Sequence, residues 1–198
     1  MTALGYAVVD LETSGFSPPS GEIVEIAVVH VDPTGRQTGS WDSLVRPSGG
    51  VGATWLHGVT AGMVRDAPDF SAVAEALHAL LVGRVVVAHN LGFDGKFLVS
   101  EFAAAGLPAP EIQDGICTLR LAQSHLPGPP HKLANCCDHL GIELTNAHAA
   151  LGDATATAEL LAHFIHQGIP LRGTPVRPHP GVPVQRSAPA DIFLSRRT

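Results

Sequence analysis

The sequence has no uninterrupted apolar run long enough to cross a bilayer, although 45% of its 198 residues are hydrophobic and its mean hydropathy is +0.20. A spanning helix needs about 20 such residues in a row, so no membrane partner is expected. The first residues lack the basic start and small-residue cleavage site of a secretory signal and enter an apolar stretch almost at once. Cysteine is scarce: Cys117, Cys136 and Cys137 are too few and too oddly spaced for a disulfide framework, and no CxxC pattern is present. Buried or semi-buried thiols in a reducing, cytoplasmic setting are the expectation. Basic residues are scarce too. Residues 1–168 hold seven Lys and Arg against seventeen Asp and Glu, whereas residues 169–198 hold five Arg and one acid. Phosphate affinity comes mainly from Lys and Arg, which excludes a strong non-specific duplex binder. An enzyme that meets phosphate through bound cations remains compatible.

What is present starts with Tyr6-Ala7-Val8-Val9-Asp10-Leu11-Glu12-Thr13, a short apolar strand ending in two acids. Successive side chains on a strand point to opposite faces, so Asp10 and Glu12 share one face. Burying two carboxylates side by side is costly, and a cation is the usual compensation. This strand end therefore reads as half of a metal site, the alternative being two solvated acids at an exposed terminus.

The other elements follow from spacing. Residues 23–31 are a nearly continuous apolar run, as for a strand covered on both faces, interrupted by Glu25, which is expected to pair with backbone or Arg. Residues 41–45 complete an antiparallel meander, and residues 46–68 are Gly-rich and irregular. A helix is predicted over 71–81, a strand over 85–88, and a second helix after His89-Asn90, with Asn90 at its N-cap. Residues 112–117 form a last strand, residues 118–124 and 132–139 short helices, and residues 150–166 the final helix, striped by Leu151, Ala154, Ala158, Leu161 and Ile165. After Gly168, six prolines forbid regular structure over most of the tail. The fold class is α/β, with a mixed five-stranded sheet flanked by helices. A domain over 1–168 carries a Pro/Arg-rich tail over 169–198.

Two later acids can join the first pair at the sheet edge. Asp94 and Asp153 each sit in the first turn of a predicted helix, where the dipole favours negative charge. In order, Asp10-x-Glu12, His89-Asn90-x-x-Phe93-Asp94 and His148-x-x-x-x-Asp153-Ala154 resemble the three signatures of the DEDDh 3′–5′ exonuclease family. The likeness covers most of residues 5–166. Asp10-Leu11-Glu12-Thr13-Ser14-Gly15, His57-Gly58-Val59-Thr60 and Cys117-Thr118-Leu119 also stand where members carry similar words, and the first block looks closer to the epsilon type of bacterial DNA polymerase III than to oligoribonuclease.

The resemblance implies an RNase H-like fold and metal-dependent removal of nucleotides from nucleic-acid 3′ ends, of the DNA proofreading or repair type. Asp10, Glu12 and Asp153 would hold two ions, Mg²⁺ or Mn²⁺, Asp94 would help hold the second, and His148 would be the general base. An all-oxygen donor set with no thiolate suits such hard ions, and a histidine near its ordinary pKa can take a proton. Thr13 and His57 are expected to touch the terminal nucleotide and Leu56 or Phe93 to support its base, whereas His89 is expected to be structural. The expected partner is a single-stranded 3′ end, with a DNA polymerase reached through Asp191-Ile192-Phe193-Leu194 in the tail. An exoribonuclease, a non-catalytic adaptor with an exonuclease fold and a hydrolase of small nucleotides are the alternatives.

Overall fold

Strands β1 (Tyr6–Thr13), β2 (Ile23–Val31) and β3 (Gln37–Leu44) form an antiparallel meander at one side of a mixed sheet. β4 (Val85–Ala88) lies parallel to β1, and β5 (Ile116–Cys117) parallel to β4, giving the order β3-β2-β1-β4-β5. The computed structural model of the chain describes residues 4–145 and 148–179.

Alternation along β1 divides the core in two. Ala7, Val9 and Leu11 face helices α3 (Phe70–Leu81) and α4 (Leu91–Ala104), packing with Leu77, Leu81, Phe97, Leu98 and Phe102. Val8 faces the other way, with Ala27, Val29 and Val87, onto the final helix, where Ala154, Ala158 and Leu161 are fully buried. Each buried Val, Leu or Phe contributes about 1.5–3 kcal/mol. Asp10 and Glu12 have the parity of Val8 and therefore belong to the face of that final helix. Its alanines at intervals of four leave little side chain between backbone and sheet, which brings its first turn close to the acids.

The short elements are α1 (Thr54–His57), α2 (Ala61–Val64), α5 (Thr118–His125) and α6 (Leu133–Leu140), and the last helix is α7 (Ala150–His166). The segment expected to be irregular thus contains two single turns of helix, α1 and α2, the second capped by Thr60, whose hydroxyl accepts from the Met63 N–H. Gly52 (φ 66) lies where a Cβ would collide with Ser14 O, so this loop rests on the turn that follows β1. The last strand is shorter than expected. Ile112 N–H donates to Pro110 O and Gly115 N–H to Ile112 O, so residues 112–115 turn and only Ile116 and Cys117 reach β4. Asn90 stands at the start of α4, but its backbone is left-handed (φ 76, ψ 51) and its side chain makes no cap hydrogen bond. Asn tolerates that conformation better than most residues.

Beyond α7, residues 169–179 have no helix and lie along the domain. Val176 bridges Val82, Gly83 N–H donates to Val176 O, and Thr174 N–H donates to Asp114 O. The Asp191-Ile192-Phe193-Leu194 segment lies outside the described residues. Among the described residues, no helix is long and apolar enough to cross a membrane.

Candidate metal centre

The site forms where the sheet stops being continuous. β4 pairs with β1 only from Tyr6 to Val8, so the end of β1 has a partner in β2 alone. Into that gap comes the start of α4. The buried carboxylate of Asp94 receives the backbone N–H of Leu11, a group with no β4 partner at that point, and its own N–H. A buried backbone donor needs an acceptor, and here a side chain from the start of α4 supplies it.

On the other face, α7 delivers Asp153, while His148 sits exposed in the preceding turn. One ligand atom each from Glu12, His148 and Asp153 lie within 4.8 Å of one another. Asp10 and Asp94 stand outside this tight group but border it electrostatically. Burial, then Asp94, Asp153, Glu12 and Glu25, raise the Asp10 carboxyl well above the usual range. Burial, then Asp153, Glu25 and Asp94, push Glu12 up to about 8. Asp94 is pushed up to about 7 by burial, against the lowering pull of its two backbone donors and Lys96. Asp153 is raised by burial, against the pull of the His148 N–H and ring. Like charges held close in a partly dry site favour the protonated forms.

These acids have few donors to compensate them. Asp153 Oδ1 is buried with no hydrogen-bond partner among the described residues. Such an atom costs about 1–3 kcal/mol. Carboxylate oxygens with one imidazole, and one oxygen left unsatisfied, fit a hard divalent cation such as Mg²⁺ or Mn²⁺. His148 has φ 67; with Asn90 it is one of two non-glycine residues in the left-handed region among those described, and each precedes a helix carrying one of the acids. Sparsely populated backbone at such positions is a recurrent property of functional sites.

The proposed nucleotide contacts are placed unevenly. The Thr13 hydroxyl donates to Gly15 O across the turn after β1, keeping its lone pairs. Leu56 is exposed on α1. Phe93 is half-buried against Phe97, with Lys96 Nζ 4.6 Å above its ring. His57 departs from the expectation. It is buried, its Nε2–H donates to Val51 O, and its Nδ1 accepts from the Val59 N–H. With both ring nitrogens committed, it organises its own loop and has none to offer a nucleotide. His89 behaves as read: Nε2–H donates to His131 O, and Nδ1 accepts from the Thr118 hydroxyl.

Two residues near the site were not assigned a role in it from sequence. Glu25 lies opposite Glu12 in the β1–β2 ladder and accepts the N–H of Ala150, the first residue of α7, so it fixes the helix that carries Asp153. Its signal was the lone acid in an apolar strand. Lys96, two residues after Asp94, donates to Phe16 O at 2.6 Å and ties α4 to the turn after β1. Nothing in its spacing announces that contact.

These features gather four carboxylates and a histidine at one end of the sheet, and the chain belongs to the RNase T-type exonuclease family, whose model matches residues 7–161. It is 35% identical over 165 residues to a PolC-type DNA polymerase III of Oceanobacillus iheyensis, covering 82% of this chain and 11% of that protein. A DNA polymerase III subunit epsilon-like protein of Rhodobacter capsulatus is 35% identical over 169 residues, covering 82% of this chain and 24% of its own length. The chain thus spans a quarter or less of these relatives. Among solved structures, Exonuclease X in complex with 5′ overhanging duplex DNA aligns with a TM-score of 0.67 and 28% identity, over 82% of this chain and 92% of that one. The nuclease domain of 3′hExo, a DEDDh family member bound to rAMP, aligns with a TM-score of 0.72 over 86% and 96% of the two chains; at 20% identity it speaks for the fold alone. The fold is RNase H-like.

Proposed function

We propose that this chain is a divalent-metal-dependent 3′→5′ exonuclease acting on DNA ends, of the proofreading or repair kind. The observation that carries the reading is the meeting of Glu12, His148 and Asp153 within 4.8 Å, beside Asp10 and Asp94. Asp10, Glu12 and Asp153 would hold the ions, and Asp94 would assist with the second. Bound Mg²⁺ or Mn²⁺ supplies positive charge that offsets the charge developing on a phosphodiester under attack. The residues of the chain do the rest. The His148 imidazole, on an exposed turn, accepts the proton of the attacking water. The water oxygen bonds to phosphorus, the P–O3′ bond breaks, and the departing O3′ takes up a proton from solvent. The products are a nucleoside 5′-monophosphate and a strand one unit shorter with a free 3′-hydroxyl. Leu56 and Phe93 offer apolar surface to the terminal base.

Similarity to PolC-type and epsilon-like proteins supports DNA as substrate and a polymerase as partner. The test is digestion of matched DNA and RNA strands labelled at either end, with Mn²⁺ present. Faster loss of the 3′ label from DNA is the expected result. No digestion of either strand would defeat the reading.

A further inference from the structure

Along the edge strand β5 lies a groove of about 600 Å³ between α4, β5, α5 and residues 171–172. Its floor is aliphatic, with Leu91, Ile116, Leu121 and Leu171, and its rim carries Lys96, Arg120 and Arg172. The chain is acidic, and the described residues include nine Lys and Arg. Three of those nine line this one groove. Arg36 and Arg177 are held in ion pairs with Asp32 and Glu111, whereas the Arg120 and Arg172 side chains have no ion pair or hydrogen bond among the described residues. Both are exposed.

One end of the groove lies at the sheet end that holds the acids, although none of the acids lines it. β1, β4 and β5 are parallel, so the C-terminal end of β5 and the start of α5 lie at the same sheet end as Asp10. Lys96 lines the groove and donates to Phe16 O in the turn after β1, so it ties the groove to that turn. Three cations, Lys96 and Arg120 towards the end that holds the acids and Arg172 towards the other, rim one apolar floor.

We propose that this groove carries the single strand upstream of the 3′ end, with Lys96, Arg120 and Arg172 on its phosphates and the aliphatic floor under its sugars and bases. The assignment rests on the exonuclease reading above. Charge complementarity chooses the occupant: the rim is positive in a body that otherwise repels polyanions, and a strand places a negative charge at every unit. Arg172 also gives residues 169–179 a part in binding.

The test uses the full chain and a 5′-labelled strand of about twelve nucleotides, with Ca²⁺ replacing the activating ion, read by fluorescence anisotropy at several salt concentrations. The R120A/R172A pair is expected to weaken binding about tenfold and to flatten the slope of log affinity against log salt by about 1.4, or ~0.7 for each phosphate released. R120K/R172K should keep most of the slope. In digestion, the rise in KM should shrink as the strand is shortened towards a dinucleotide, which does not reach the groove. An unchanged salt slope in R120A/R172A overturns the proposal, as does an equal loss at every strand length. So does R120A/R172A losing capture of an acidic peptide while still binding the strand normally. If the unaltered chain digests no strand, the exonuclease reading fails; if it digests normally and R120A/R172A is indistinguishable from it, only the groove fails.

Discussion

The two halves of β1 differ in what surrounds them. Tyr6 to Val8 pair with β2 on one side and β4 on the other, and Ala7, Val8 and Val9 are fully buried among apolar side chains. From Asp10 onward β4 is gone, Glu12 faces Glu25 across the ladder, and the register shifts between Glu12 and Thr13. The first half stabilises the sheet; the second half costs stability, because like charges stand opposite one another and are partly dry. The interruption of the β4 pairing admits Asp94 from one face while α7 brings Asp153 from the other. Where the ladder ends, the sheet trades stability for a site.

The sharpest way to break this contrast is to neutralise the second half without changing its shape. Asp10→Asn and Asp153→Asn are each expected to lower the rate of Mn²⁺-dependent 3′-end release by about 10³-fold or more, equivalent to about 4 kcal/mol of barrier. Melting followed by circular dichroism should show the metal-free variants at least as stable as the parent, since repulsion falls. A drop in melting temperature together with the lost rate would mean that these carboxylates serve the fold.

The first half should respond in the opposite sense. Leu161 is fully buried on the α7 face beneath Val8. Leu161→Ala is expected to cost about 2–5 kcal/mol of stability by urea unfolding while leaving the rate of the folded fraction close to that of the parent. A rate loss as large as that of Asp10→Asn, at equal folded fraction, would erase the distinction between the halves.

Acidity sharpens it further. Glu12 and Asp94 are pushed up to about 8 and about 7 in the folded chain. A raised folded pKa means that the folded state holds the proton more tightly, so the stability it contributes is full below the unfolded pKa and disappears as pH rises through the folded one. His30, held low at about 4 by burial, acts in the opposite sense, but its contribution is complete above about pH 6.5. Between pH 6.5 and 8.5 the metal-free protein should therefore lose melting temperature. Millimolar Mg²⁺ should flatten that decline, because a ligand bound only by the folded form stabilises it. A flat metal-free profile would show that these acids are not mutually repelling. The smallest expected effect is at Glu25→Gln. Removing the charge opposite Glu12 should raise metal-free stability by less than about 1 kcal/mol, read as a shift in the urea midpoint.

Much of this was legible in the chain because it rests on short-range periodicity. Alternation over Tyr6–Thr13 placed Asp10 and Glu12 on one face, and the limits of β4 and α7 followed from apolar spacing and small residues. His148 was assigned to the loop before α7 because it and Asp153 could not share a helical face, and it lies there. Features set by tertiary contact were not legible. The turn at residues 112–115 shortens β5 through backbone bonds that no residue type announces. Asn90 looked like a side-chain cap, yet its backbone bends left-handed and the side chain does not cap. His57 was read as a nucleotide contact, but the carbonyl of Val51 and the N–H of Val59 take both its nitrogens. The cationic groove brings together residues 96, 120 and 172, which only the fold makes neighbours.

The most direct measurement is the product ladder from a 5′-labelled DNA strand incubated with the full chain and Mn²⁺. Stepwise shortening from the 3′ end, stopped by EDTA and by Asp153→Asn, is the predicted result. Cutting that persists in EDTA, or a folded Asp153→Asn protein that shortens the strand at the parent rate, would contradict the claim that these acids hold the ions that drive hydrolysis.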